Sequence, residues 1–262
     1  MRSHRSLRVR GGAATVALLC AIGLTPVDPG DAKSQSADAI VAKTIAAEGG
    51  ADRIAAVKTE RLTGRLIAGG NESSLTIEFA RALRMRMEIG IRGKTLVRAY
   101  DGSTGWVINP FAEHPAPERM SPTETLNISR EADFEGPLAN ARAKGNTIAL
   151  VGRDSVEGHP VYHLSVTLRD GTVDHYFIDA GSYLPRKWEG PRHVQGKDVV
   201  FESYFRDFTV VDGVHVISRI ESDRKGEPSV GGQVIVIDHV ELNVPLSDSR
   251  FTMPDSTTAP KR

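Results

Sequence analysis

Alternation with a period of two residues dominates this sequence and confines it to a β fold. In residues 83–89, Leu83, Met85, Met87 and Ile89 occupy one side while Arg84, Arg86 and Glu88 occupy the other, which describes a strand with one oily and one wet face. Residues 161–168 divide in the same way, with Tyr162, Leu164, Val166 and Leu168 opposing Val161, His163, Ser165 and Thr167. Further strands are expected at 61–68, 75–80, 95–100, 105–109, 147–152, 173–179, 183–188, 199–207, 215–222 and 233–243. Turn signals separate them: Gly69-Gly70-Asn71, Gly90, Asp101-Gly102, Asp170-Gly171, Ala180-Gly181, Asp212-Gly213 and Gly231-Gly232. Connections this short join antiparallel neighbours, because a parallel crossover takes about a dozen residues or more. The expectation is a long meander.

Two stretches break the period. Between residues 39 and 57, Ile40, Val41, Ile45, Ile54 and Val57 follow helical spacing, and Gly49-Gly50 interrupts it, giving two helical pieces or one helix and a turn of another. Residues 111–144 hold four prolines and then a mixed segment, 122–134, that suits a short helix. A meander that pauses for a loop and a helix can cover one mouth or face of its own sheet.

The N-terminus reads as an export signal. Arg2, Arg5, Arg8 and Arg10 precede residues 11–24, which carry no charge, the basic and apolar regions of a secretion signal. That apolar run is shorter than the roughly 17–25 residues a membrane-spanning helix needs. Small residues place cleavage after Ala32 or after Ala39. Leu18 and Leu19 stand before Cys20 where a lipoprotein signal wants a small residue, so lipid anchoring at Cys20 is the weaker reading. The expected organisation is a signal at 1–32, a tether at 33–38, one domain at 39–254 and a tail at 255–262. With the signal removed no cysteine remains, which excludes disulfides and thiolate metal sites.

Removing residues 1–32 takes four arginines and two aspartates from 33 basic and 33 acidic side chains, leaving a net charge near −2. Such a balance argues against nucleic acid as a partner, since that affinity requires many neutralised phosphates. No H-E-x-x-H, cysteine-histidine set, G-x-S-x-G elbow or phosphate-binding glycine loop occurs. The expectation is therefore no metal, no cofactor and no enzymatic activity; an enzyme would need titratable groups to converge, for instance around His163, His175 and Asp179. Nothing in the sequence sets an oligomeric state.

Several segments together resemble a known family. They are residues 45–59 with Glu48-Gly49-Gly50 and Asp52-Arg53-Ile54, Ala99-Tyr100-Asp101-Gly102 with Gly105-Trp106, Asp133-Phe134-Glu135-Gly136-Pro137-Leu138, Tyr176-Phe177-Ile178-Asp179, Tyr204-Phe205-Arg206-Asp207-Phe208, and Val240-Glu241-Leu242-Asn243. Over residues 39–254 the chain resembles the LolA/LolB-like lipoprotein-sorting superfamily of the bacterial periplasm. The resemblance implies a mainly β fold: a strongly curved antiparallel sheet, an incomplete barrel, with an N-terminal helix and a short covering helix. It also implies an apolar hollow for an acyl chain or a lipidated protein.

From the alternating faces, Met85, Met87, Leu164, Val166 and Phe177 are candidate lining residues of such a hollow, or else ordinary core beneath the helices. Trp106 is expected to fold over a hairpin edge. Arg81, Arg84, Arg86, Arg92 and Arg98 form a basic stripe that either meets the envelope peripherally or simply solvates the sheet. Two functions follow: a periplasmic lipid- or lipoprotein-binding carrier or sensor, or a non-catalytic structural or interaction module of the envelope.

Overall fold

The computed structural model describes residues 35–194, 196–227 and 232–255. The expected signal, Cys20, the start of the tether and residues 256–262 lie outside them. Helix α1 (Ala37–Ala47) starts within the stretch expected as tether, because the Ser36 side chain accepts a hydrogen bond from the Ala39 N–H and caps it. Gly49-Gly50 ends α1, and α2 (Ala51–Ala56) follows.

The strands fall into two meanders. The first comprises β1 (Thr59–Ala68), β2 (Asn71–Ala80), β3 (Arg84–Ile91), β4 (Lys94–Tyr100), β5 (Gly105–Ile108) and β6 (Pro117–Arg119). After α3 (Pro122–Glu131), the second runs through β7 (Thr147–Val156), β8 (His159–Thr167), β9 (Val173–Asp179), β10 (Pro185–Val194), β11 (Lys197–Val211), β12 (Val214–Arg224) and β13 (Gln233–Leu242). A single 13-stranded sheet results, in the order β6-β5-β4-β3-β2-β1-β13-β12-β11-β10-β9-β8-β7. The expected single meander is thus two, joined where β13 returns to pair with β1. Strands β6 and β7 are left as free edges, so the barrel stays open. Where β1 meets β13 the register shifts between Thr63 and Gly64, and a Cβ on Gly64 would stand 1.9 Å from the Val236 carbonyl oxygen, so only glycine fits this bulge.

One helix shows how far the sheet curls. Ser121 and Glu124 form a capping box and Pro122 opens the first turn of α3. This helix touches β3, β4 and β5, and on its other side β10; Asn127 Nδ2 donates to the His193 carbonyl at 3.1 Å, and Arg130 donates to Thr172 Oγ1 at 2.7 Å. Strands β5 and β10 are far apart in the strand order, so the sheet must wrap around α3 for both to reach it.

The concave side holds two packed regions. Beneath α3, Leu62, Phe79, Met85 and Tyr100 pack with Ile128 and Ala132; beneath α1, Tyr162, Leu164, Val166 and Ile178 pack with Ile40. Leu83 departs from the sequence reading. It sits in the turn before β3 at φ 58° and is 44% exposed, so the oily face of that strand starts at Met85.

On the convex side the C-terminal segment crosses the first meander. Trp106 is 0% exposed there, packed with Val97, Ala99 and Met253. Buried Glu78 is held by Arg61 at 3.0 Å and Arg250 at 2.6 Å. Arg84 pairs with Asp248 and Arg86 with Glu88, while on the concave side Arg98 pairs with Glu131 of α3. Most of the basic stripe is therefore engaged within the fold.

Candidate functional site

Between the two packed regions the concave face is not filled. Strands β11 and β12 lie in the interior of the sheet, yet neither contains a fully buried residue. A hollow of about 310 Å³ lies over them, bounded by Ile54 and Val57 at α2, by Phe79 and Leu242, and by Phe134 and Leu138 from the loop after α3.

Irregular backbone makes this space. Register shifts between Phe205, Asp207 and Phe208 bring both phenylalanines to the hollow, although residues three apart on a regular strand face opposite sides. On β12 the consecutive residues Val214, His215, Val216 and Ile217 all line it. A strand paired on both sides offers only every second residue to one face. Here β12 pairs with β13 only from 219–222 to 233–236, so residues 214–218 present a free strand edge to the hollow. The link between α1 and α2 covers that edge: the His215 N–H donates to the Glu48 carbonyl at 2.8 Å. A Cβ on Gly49 would lie 2.5 Å from the Gly213 carbonyl oxygen, and φ at Gly49 is 132°, so this approach needs glycine.

The lining is largely apolar, with a few polar groups set into it. Glu60 is 6% exposed, and its cross-strand neighbours are Phe79 on β2 and Leu242 on β13. Burial pushes its carboxyl up to about 7. Burial raises Glu48 to about 7 as well. Neither side chain makes a hydrogen bond or ion pair among the described residues. His215 Nδ1 is buried without a partner, and burial raises the Tyr176 hydroxyl.

Two other clefts adjoin the sheet. One of about 600 Å³ lies beside α3 and shares Pro137 and Tyr176 with the hollow. Most of its charges are paired: Arg130 with Asp170, Lys144 with Asp133 at 2.7 Å, and Arg192 with Asp174 at 3.3 Å. The other, about 310 Å³, is lined by His163, Phe177, Lys187 and Glu189. There His163 Nε2 lies 2.8 Å from His175 Nδ1, and burial followed by the neighbouring His175 lowers His163. Asp179 does not join them; it accepts from Arg186 at 2.6 Å and from the amides of its own turn. Among the described residues no group of three or more His, Cys, Asp and Glu is placed to hold a metal ion. No described helix is long and apolar enough to cross a membrane.

The five candidate lining residues are not brought together. Met85 and Met87 belong to the region packed beneath α3, and Leu164 and Val166 to the one beneath α1. Phe177 belongs to a separate cluster with Val156 and Val161, stacked on His163 and beside the histidine cleft. Glu60, Phe205, Phe208 and the run from Val214 were not among the expected lining residues. Glu60 left a signal: on β1 it alternates with Leu62, an ionisable residue on the oily side.

No family model matches the chain, and no curated protein matches it. Solved structures do. A LolA superfamily protein from Nitrosomonas europaea superposes with a TM-score of 0.55 at 18% identity, covering 83% of this chain and 97% of that one. The fold is LolA/LolB-like. A DUF1329 family protein from Desulfovibrio piger gives 0.54 at 16% identity over 82% of this chain and 97% of its own. A putative outer membrane lipoprotein-sorting protein domain from Vibrio parahaemolyticus gives 0.54 at 12% over 82% and 95%. At these identities the likeness is one of fold, and the LolA-like sheet of this chain places its hollow between the two packed regions.

Proposed function

We propose that this protein is a periplasmic, non-catalytic carrier or sensor that holds an acyl chain, free or attached to a lipidated protein, in the hollow over β11 and β12. The observation that carries this reading is the unfilled apolar space of about 310 Å³ between two well-packed regions. That volume is at the lower end of the roughly 300–1,000 Å³ of small-molecule sites. The alternative, an envelope module with a filled core, would pack side chains across this space.

The energetics suit a carrier. Each methylene moved from water into an apolar site contributes about 0.8 kcal/mol, which is ample for retention in the aqueous periplasm. Bilayer tails are as apolar as leucine side chains, so exchange between membrane and hollow is close to balanced. A carrier needs both properties. The LolA-like fold supports the reading, because the neighbours that share it include a lipoprotein-sorting domain.

Native mass spectrometry after gentle purification, followed by solvent extraction, tests it. A mass increment that extraction releases as an acyl-bearing species is the expected result. Protein that emerges ligand-free and also refuses acyl probes would overturn the proposal.

A further inference from the structure

We infer that the guest of this hollow carries a hydrogen-bond donor, a hydroxyl or an ammonium group, on its aliphatic body, and that Glu60 with Glu48 receives it. The inference rests on the hollow-binding reading above and names the chemistry of the ligand.

Glu60 lies on the concave side of β1, flanked across the sheet by Phe79 and Leu242. The arginines of the same strand turn away from it: Arg61 is held by Glu78 and Glu241, and Arg65 by Asp238 and Glu72. A buried carboxyl with no partner is a cost to the fold, and a well-packed apolar side chain in its place would be neutral or stabilising. The fold thus gives Glu60 no reason to be polar. A ligand does.

Three further polar groups reach the same space from different elements: Glu48 from the end of α1, His215 from β12 and Tyr176 from β9. The remaining carboxyl of the lining, Glu135, is neutralised by Arg81 at 2.6 Å. No lysine or arginine lines the hollow among the described residues. An anionic head, carboxylate or phosphate, would face carboxyls with no cation to balance it. A donor head would satisfy acceptors that the fold leaves empty.

The test uses the full chain stripped of bound lipid, loaded with pyrene as a neutral probe. Dodecylamine, dodecanol and dodecanoate compete against it above pH 7 and below their micelle concentrations. The amine or the alcohol is expected to displace pyrene at concentrations about tenfold or more below the carboxylate, the factor that one charge-assisted hydrogen bond supplies. Which of the two leads identifies the head as ammonium or hydroxyl. Glu60→Leu should lose the discrimination; Glu60→Gln, which keeps the shape of the side chain, should reduce it. Equal competition by all three heads, or a preference that survives in Glu60→Leu, overturns the inference while leaving hollow binding intact. Failure of pyrene and every competitor to bind removes the proposed function and this inference with it.

Discussion

The indole of Trp106 donates its Nε1 hydrogen to the Phe251 carbonyl at 2.7 Å, tying the C-terminal segment to the convex face of the first meander. Both residues are fully buried. Trp106→Phe keeps an aromatic body but strands that carbonyl, which costs about 1–3 kcal/mol. Trp106→Ala adds a cavity and should cost about 3–5 kcal/mol. Urea unfolding monitored by circular dichroism should rank the variants in that order. A Trp106→Phe midpoint equal to that of the parent would deny the bond a structural role.

Gly49 predicts a contrast with its neighbour. Both Gly49 and Gly50 have positive φ, but only Gly49 abuts the β11–β12 turn; nothing lies within 4 Å of a Cβ on Gly50. Gly50→Ala should therefore show backbone strain alone, about 1–3 kcal/mol. Gly49→Ala should lose clearly more and weaken capture of an acyl probe, because the link between α1 and α2 can no longer cover the edge of β12. Equal thermal shifts for the two variants would contradict the packing described.

The buried carboxyl gives stability a definite pH dependence. Glu60 rises in the folded chain from 4.5 to about 7, so between those values the folded state holds a proton that the unfolded state has released. The contribution of Glu60 to stability is then greatest below about 4.5 and declines as pH climbs to about 7, by a few kcal/mol at most, while carboxyls held low by their partners, such as Asp179, work against it at acid pH. Glu48 acts in the same sense, and His215 and Tyr176 share the space. Chemical denaturation of the lipid-free protein across this window should show the decline, and Glu60→Gln should flatten it. An unchanged slope in the variant would assign the effect elsewhere.

The start of α1 favours one of the two cleavage sites expected from the sequence. Cutting after Ala39 removes the Ser36 cap and Ala37, which packs near buried Ile40. Cutting after Ala32 keeps both. N-terminal sequencing of the exported protein is expected to begin at Lys33, and a start at Ile40 would refute this.

Much of the sheet was legible because its strands alternate and its turns are short. The pairing of β1 with β13 was not, since no local pattern encodes a contact between the two ends of a domain. Leu83 misled because it continues the alternation of Met85 and Met87 through a turn that only the backbone reveals. The hollow was hidden for a related reason. Clean alternation marks strands that sit squarely under a helix, which is where Met85, Leu164 and Val166 are packed. Space opens where regularity fails, at the bulge of Phe205 and Phe208 and along the consecutive run from Val214. Glu60 escaped notice because the expected strand began at 61, and only the structure extends β1 back to Thr59 and sets this carboxyl on its oily side.

The short pairing of β12 with β13 leaves a slit in an otherwise continuous fabric. Four residue pairs hold β12 to β13, whereas β11 with β12 and β13 with β1 are sewn along most of their run. Swinging the β11–β12 hairpin outward at residues 214–218 breaks one backbone bond, from His215 to Glu48, whereas parting any neighbouring long strands would unzip a ladder. For the proposed carrier this flap is the wall that would yield most readily to a bulky guest, and it is built into the strand order.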